Sequence, residues 1–305
     1  MIVAAGLSPA WQQIILLDRL RQGEVNRARQ VQWCASGKVL NVAVALAHLG
    51  ANSRVVTLLG GPPKPLIERQ LSSFGIEHDS VEGHWATRIC TTIVEQDGQA
   101  TELVESAGPV TAAESEAFVS AFHERSRDAT SVVLSGSIGR WTQPGIYRDL
   151  LVNTSASAIL DIRGPELLEA LHARPLLVKP NREELSQTLG RSLESDAELQ
   201  RAMRELIDRG ASWVVVTHGK NPAWVASQDQ FFRMKPPRVE PINPIGSGDC
   251  MAAAIAWALE AGKAPLDAVR LGIAAGAENA RELLPARLDP QRVLSLAEQV
   301  QLELA

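Results

Sequence analysis

The feature that most restricts how this chain can fold is an alternation of short, unbroken apolar runs with longer stretches of helical period. "MIVAA", "SRVVTLL", "TSVVLSG", "SAILDI", "PLLVKP" and "SWVVVTHG" are dominated by Val, Ile and Leu. That is the pattern of strands covered on both faces rather than on one. Between them lie "KVLNVAVALAHLG", which stops at Gly50, and "DAELQRAMRELIDRG", which stops at Gly210, each a helix that a glycine can end. Strand–helix–strand repeats need crossovers, and the crossover helices cover a largely parallel sheet from both sides. The expected class is α/β. Two regions break the rhythm: residues 11–34 and 86–105 read as two-sided strands with polar turns at "RQGE" and "EQDGQ", enough for a small separate sheet. The last quarter, from Gly248 onward, reads as helical, with Gly262 and Pro265 marking one boundary. No repeat or long linker divides the chain, so a single domain over residues 1–305 is expected.

Composition narrows the partner. A chain of 305 residues with 45% hydrophobic content can bury a large core, a size that suits an enzyme. Thirty basic and 35 acidic residues leave a net charge of −5 with no block of Lys or Arg, which argues against nucleic acid or an anionic membrane and for a small molecule. Cys34, Cys90 and Cys250 are odd in number and far apart, fitting neither a disulfide framework nor a zinc site but a reducing cytoplasm. The opening "MIVAAGLSPAW" has no basic leader, and no clean apolar run approaches the roughly 20 residues of a membrane span. A soluble, unprocessed cytoplasmic protein is expected.

One stretch points to chemistry. "NPIGSGDCMAAAIAWAL", residues 243–259, is a glycine-rich turn that becomes a helix, with a carboxylate, Asp249, at the junction. A helix start preceded by glycines offers free N–H donors to an anion, and in open α/β sheets such sites lie beyond the carboxyl ends of strands. It is not a P-loop: around Lys38, Gln32 and Val39 stand where that motif needs Gly and Ser or Thr. Nor is it a dinucleotide fingerprint, since Met251 occupies the place of the third glycine. What remains is an anion cradle with a base inside it. That combination suits phosphoryl transfer, in which fixed donors hold the moving charge and a carboxylate takes the proton of the attacking hydroxyl. From this stretch alone, a plain N-cap is the better-supported reading of Asp249.

Other segments change the balance. "LSPAW", "GEVNRA" (23–28), "SGKVLNVAVALAHLGA" (36–51), "TRIC" (87–90), "SGSI" (135–138), "VKPNREEL" (178–185) and "VVVTHG" (214–219) stand in order before the G-x-G-D block. Over nearly the whole chain this order resembles the ribokinase-like (PfkB-type) carbohydrate kinases, and within them the 1-phosphofructokinase and tagatose-6-phosphate kinase branch. The resemblance implies a three-layer α/β/α fold with a mostly parallel central sheet and a small β-sheet lid. It implies ATP and Mg2+ as cofactors and a sugar phosphate as partner. Gly246, Ser247 and Gly248 would form the anion hole and Asp249 the catalytic base. Asn181 and Glu184 would organise magnesium and the nucleotide phosphates, Glu184 reaching the metal through water. Thr217 and Gly219 would lie in the nucleotide-binding turn, and Asn279 near the adenine. At the sugar end the matching positions are Ser8, Gln12, Gly37, Lys38 and Asn41. Arg88 and Arg27, with Lys38, would receive the substrate's phosphate, since charge-assisted contacts suit a dianion. The lid would close over the sugar to exclude water, and Trp11, Ile15 and Trp33 on it would face a second subunit, making a homodimer an expectation.

This chain departs from the branch at the sugar end. Ser8 and Gln12 replace the Asn and Asp of "NPA-D", "SGKVLN" replaces "GGKG-N", and Lys64 and Pro222 replace glycines. Two alternatives to a hexose monophosphate kinase therefore stand: a kinase of an unphosphorylated sugar or nucleoside, and a catalytically silent sugar-phosphate-binding protein.

Overall fold

The computed structural model describes residues 1–138 and 145–305. Its strands are β1 (Ile2–Gly6), β2 (Ala10–Leu17), β3 (Gln30–Ser36), β4 (Ser53–Leu59), β5 (Glu77–Glu82), β6 (Arg88–Glu95) and β7 (Ala100–Val104). They continue as β8 (Ser131–Ser135), β9 (Ser157–Asp161), β10 (Leu177–Val178), β11 (Trp213–His218), β12 (Asn221–Ala226), β13 (Phe231–Lys235) and β14 (Gln301–Leu304). Ten of them form one sheet in the order β14-β13-β12-β11-β10-β9-β8-β1-β4-β5. From β5 to β11 every neighbouring pair is parallel, and β12, β13 and β14 extend the sheet antiparallel.

The continuous apolar runs have the cause expected of them. In β1, Ile2 and Ala4 enter the core on one face and Val3 and Ala5 the core on the other, as the two-residue period of a strand requires. The first core packs beneath the helices Lys38–His48, Ser247–Glu260 and Pro265–Ala280, the second beneath Ala112–Ser126 and Asp196–Asp208. This is the three-layer α/β/α arrangement. The helix Asp196–Asp208 starts with a capping box, Ser195 and Glu198 exchanging side-chain and backbone hydrogen bonds, which removes two orphan N–H donors at once.

The remaining strands form a four-stranded sheet, β3-β2-β6-β7, in place of the two segments that broke the rhythm. Four chain segments join it to the main body, and two of them, residues 6–10 and residues 36–38, meet. At the second, Gly37 has φ 84°, and a Cβ on it would lie 2.8 Å from the Ser8 carbonyl oxygen and 2.9 Å from the Ala10 nitrogen. Only glycine fits where the two chain crossings touch. One expectation fails: the last quarter is not wholly helical. "QLEL" forms β14 on the edge of β13, because backbone pairing to a strand distant in sequence overrides a weak local pattern. Among the described residues no helix is long and apolar enough to cross a membrane.

Candidate active site

The site assembles at the carboxyl ends of the parallel strands, where α/β sheets gather ligand-binding loops. β9 and β10 run parallel with Leu160 opposite Val178, so Asp161, the last residue of β9, and Lys179, the first after β10, stand side by side. Lys179 Nζ stands 3.2 Å from Asp161 Oδ1, and both side chains are buried, at 3% and 1% exposure. Lys38, the first residue of its helix, brings a second ammonium to the same oxygen at 3.2 Å and to Glu184 Oε1 at 3.0 Å. Burial opposes charge on Asp161, yet Lys179 and Lys38 hold its carboxyl below the ordinary value. Burial likewise opposes charge on Lys38, but Asp161, Glu184 and Asp249 outweigh it and keep the ammonium protonated. Asp161 Oδ2 is buried with no hydrogen-bond partner among the described residues.

Asp249 lies on the first turn of the helix Ser247–Glu260, 6% exposed. Its cap, Gly246, has φ 83°, and a Cβ there would meet Pro285 Cβ at 3.0 Å. Ser247 N turns back to Pro244 O at 3.2 Å and Cys250 N to Gly246 O at 2.9 Å. Among the described residues the Gly248 and Asp249 N–H groups have no backbone acceptor, as the first turn of a helix leaves them. A Cβ on Gly248 would lie 3.3 Å from Lys179 Nζ. An ammonium beside the positive end of a helix makes a place where an anion interacts favourably with both. The expected cradle of Gly246, Ser247 and Gly248 is thus brought against a buried cation and the Asp249 carboxylate.

Burial first, and then the Asp161 carboxylate, push the Asp249 carboxyl up to about 7, against Lys38, the Asn41 hydrogen bond and Lys179. A carboxylic acid that titrates near neutrality is matched to proton exchange with a substrate hydroxyl. Asn41 Nδ2 donates to Asp249 Oδ2 at 2.7 Å, and Asn41 Oδ1 accepts from Ser36 Oγ at 3.0 Å. The N-cap position of this helix is Gly246, so Asp249, three residues further on, is not its N-cap.

Asn181 and Glu184 form a capping box at the start of the helix Arg182–Leu189, with N–H to oxygen distances of 2.8 and 3.0 Å. An isolated parallel bridge pairs Asn181 with Thr217. It brings the half-exposed Thr217 and the exposed Gly219, at the end of β11, beside the box. The expected nucleotide residues other than Asn279 are therefore neighbours.

Asn279 lies behind the cradle. It is fully buried; Nδ2 donates to Ile245 O at 2.9 Å and Ser247 Oγ at 3.0 Å, while Oδ1 accepts from Ala286 N at 2.7 Å and Cys250 Sγ at 3.3 Å. Every polar atom braces the cradle from behind. The same contact gives Cys250 its place.

At the sugar end, Gln12 is 4% exposed and its Nε2 donates to Thr92 Oγ1 at 2.7 Å. Ser8 is buried, with Oγ 3.4 Å from Ser137 Oγ. Arg88 donates from Nε to Pro9 O at 3.3 Å, from Nη2 to Ser8 O at 3.1 Å and from Nη1 to Glu105 O at 3.2 Å. It spans the joint between lid and body and borders a small cleft with Leu7, Leu58 and Trp85. Lys38 is drawn by the Asp161 and Glu184 carboxylates toward the cradle, while Arg88 turns to backbone carbonyls. Arg27 is exposed in the lid loop.

Asp161 and Lys179 were missed by sequence reasoning. Their signal was present in "SAILD" and "LLVK", a charge at the carboxyl end of an otherwise apolar parallel strand.

Comparison with known proteins agrees with this geometry. The model of the pfkB family of carbohydrate kinases matches residues 6–290. Tagatose-6-phosphate kinase of Staphylococcus epidermidis is 31% identical over 265 residues, covering 85% of each chain. In fold, the chain is similar to a possible 1-phosphofructokinase of Thermotoga maritima, with TM-score 0.91, 20% identity and all of both chains covered. It is similar also to phosphofructokinase-2 of Escherichia coli, with TM-score 0.88, 22% identity and 98% and 99% of the two chains covered. The chain therefore belongs to the pfkB family of carbohydrate kinases, ATP-dependent enzymes that phosphorylate sugars.

Proposed function

We propose that this kinase transfers the γ-phosphoryl group of MgATP to a hydroxyl of a hexose monophosphate, giving a hexose bisphosphate, with Asp249 as the base. The observation that carries the reading is the buried Asp249 carboxylate at the mouth of a glycine cradle, with Lys179 beside the cradle and an Asn41 amide on one oxygen. The acceptor oxygen attacks the γ-phosphorus in line, the bond to the β-phosphate bridging oxygen breaks, and the hydroxyl proton passes to Asp249. The cradle N–H groups, Lys179 and Lys38 offset the charge gathering on the moving phosphoryl group. Asn181 and Glu184 face the nucleotide phosphates.

Magnesium fits this donor set. No group of three or more His, Cys, Asp or Glu forms a cage among the described residues. This ion prefers water, phosphate oxygens and one or two carboxylates to an all-protein site. Glu184 would hold it through water, with the unpartnered Asp161 Oδ2 within the same cluster; bound there, the ion neutralises phosphate charge.

A phosphorylated acceptor is supported by Arg88 and by the tagatose-6-phosphate kinase relative. Three of the five guanidinium N–H groups are used on carbonyls, leaving two for a phosphate. Those same bonds, and the commitment of Gln12 to Thr92, favour the second reading, a neutral acceptor. ADP release with MgATP across fructose 1-phosphate, fructose 6-phosphate, tagatose 6-phosphate and their unphosphorylated parents separates the two. Turnover is expected on a phosphorylated hexose alone, and Arg88→Ala should raise KM for it by roughly tenfold or more, as loss of a charge-assisted contact does. Turnover confined to neutral acceptors, with KM indifferent to Arg88→Ala, would establish the second reading.

The outer lid face supports a homodimer. Trp33 and Val31 are 41% and 45% exposed, Leu103 is 58% exposed, and Trp11 stacks on Trp33 with ring centroids 6.2 Å apart. An apolar face of this kind is characteristic of a covered surface. Light scattering should give twice the chain mass, and Trp33→Arg should give the monomer; a wild-type monomer at micromolar concentration would refute the lid pairing.

A further inference from the structure

We infer that Ser36 is a positioning residue for the reaction: through the Asn41 amide it selects which oxygen of Asp249 accepts the proton. The inference rests on Asp249 being the base. Ser36, Asn41 and Asp249 are 2%, 3% and 6% exposed and form one line of hydrogen bonds, Ser36 Oγ to Asn41 Oδ1 at 3.0 Å and Asn41 Nδ2 to Asp249 Oδ2 at 2.7 Å. A carboxylate only accepts, so an ionised Asp249 binds the nitrogen end of the amide and repels the oxygen end. Once the carboxyl takes up a proton, that restriction disappears, because a protonated oxygen can donate to Asn41 Oδ1. The amide could then turn over, or swing away, during the proton transfer itself.

Ser36 opposes that movement by donating to Asn41 Oδ1. With the amide held, Asp249 Oδ2 keeps its N–H partner throughout, and the proton of the attacking hydroxyl lands on Oδ1. Fixing one oxygen as acceptor is a form of preorganisation, which acts on the chemical step rather than on ground-state binding.

The hydroxyl is a feature of this chain, since Ser36 stands where the resembling motif carries glycine. It is also the last residue of a lid strand, paired with Ala10 across β2 and followed by the tight Gly37 crossing. The lid sheet therefore delivers the group that holds the amide, and lid and base share one hydrogen-bonded path.

The test is a double-mutant cycle on kcat and KM with MgATP and the phosphorylated hexose turned over in the panel above. Ser36→Ala should lower kcat by about three- to tenfold, the worth of one hydrogen bond, with both KM values within twofold of wild type. Ser36→Thr, which keeps the hydroxyl, should restore most of the rate. In an Asn41→Leu background, Ser36→Ala should change nothing further, since the two residues act in series. Unchanged kcat in Ser36→Ala, a change in KM alone, or an equal loss in the Asn41→Leu background would overturn the inference. Ser36→Cys, close in volume and a weak donor, should fall between Ala and wild type; if Ser36→Ala fails to fold, a wild-type kcat in Ser36→Cys overturns it instead. Asp249→Asn run alongside separates the two assignments. A near-normal rate there removes the base and this inference with it, whereas an inactive Asp249→Asn with a fully active Ser36→Ala leaves the base standing and removes only Ser36.

Discussion

Asp249→Asn is expected to lower kcat by about 10²–10⁴-fold, the range for loss of a general base, while binding both substrates. A rate within severalfold of wild type would sink the assignment. The environment of this carboxyl adds two pH signatures. Burial and the neighbouring Asp161 push it up to about 7, and a base must be ionised to act. Wild-type kcat should therefore fall about tenfold per pH unit on the acid side of roughly neutral pH. Stability moves in the opposite sense. The native state holds a proton on Asp249 at pH values where the unfolded chain has already lost it. Its contribution is thus complete below the unfolded carboxylate pKa of about 4 and is lost as pH rises through about 7. Asparagine carries no charge at any pH, so Asp249→Asn should melt above wild type at pH 8 and close to it at pH 4. Thermal melts at the two pH values test this directly, and equal melting temperatures at pH 8 would show that the charge is not buried as described.

Lys179→Met should be the most damaging single change to stability. Lys179 and Asp161 are 3% and 1% exposed, and removing one member of a buried ion pair typically costs about 3–5 kcal/mol because the other charge is left uncompensated. Lys38 still reaches Asp161 Oδ1 at 3.2 Å, which places the expectation near the lower end. About 3 kcal/mol corresponds to a melting temperature lower by roughly 5 °C in a chain of this size. Asp161, whose carboxyl is held down by the two ammonium groups, contributes stability above the unfolded carboxylate range and loses it as pH falls. In the variant that acid-side loss should begin at higher pH. Turnover should fall as well, because the ammonium beside Gly248 is gone. Adding Asp161→Asn should recover part of the melting temperature, since the orphan charge then disappears, but not the turnover. A melting temperature for Lys179→Met within 1 °C of wild type, as an order-of-magnitude threshold, would show the pair to be dispensable.

Much of the site was legible because its parts are local. The turn "IGSGD" announces an anion cradle by backbone chemistry alone, and Asn181 and Glu184 are close enough in sequence to form a capping box without help. Ion-pair and hydrogen-bond partners were not legible in that way. Lys38 meets Asp161 across 123 positions, and Asn41 meets Asp249 across 208. No periodicity encodes those meetings. Asn279 illustrates the same limit: it turns inward to hold Ile245 and Ser247, contacts that its position in the chain does not reveal.

By itself the sequence determined the α/β class, the strands that run through the middle of the sheet and the helix start that carries Asp249. Those features follow from burial on two faces and from glycine backbone freedom, which are properties of a few consecutive residues. The outer strands β5, β12, β13 and β14 were decided by tertiary structure, as were the partner of each buried charge and the line from Ser36 to Asp249. Strand pairing at an edge and charge compensation in a core are both contacts between distant segments, and their energies exist only once the chain has brought those segments together.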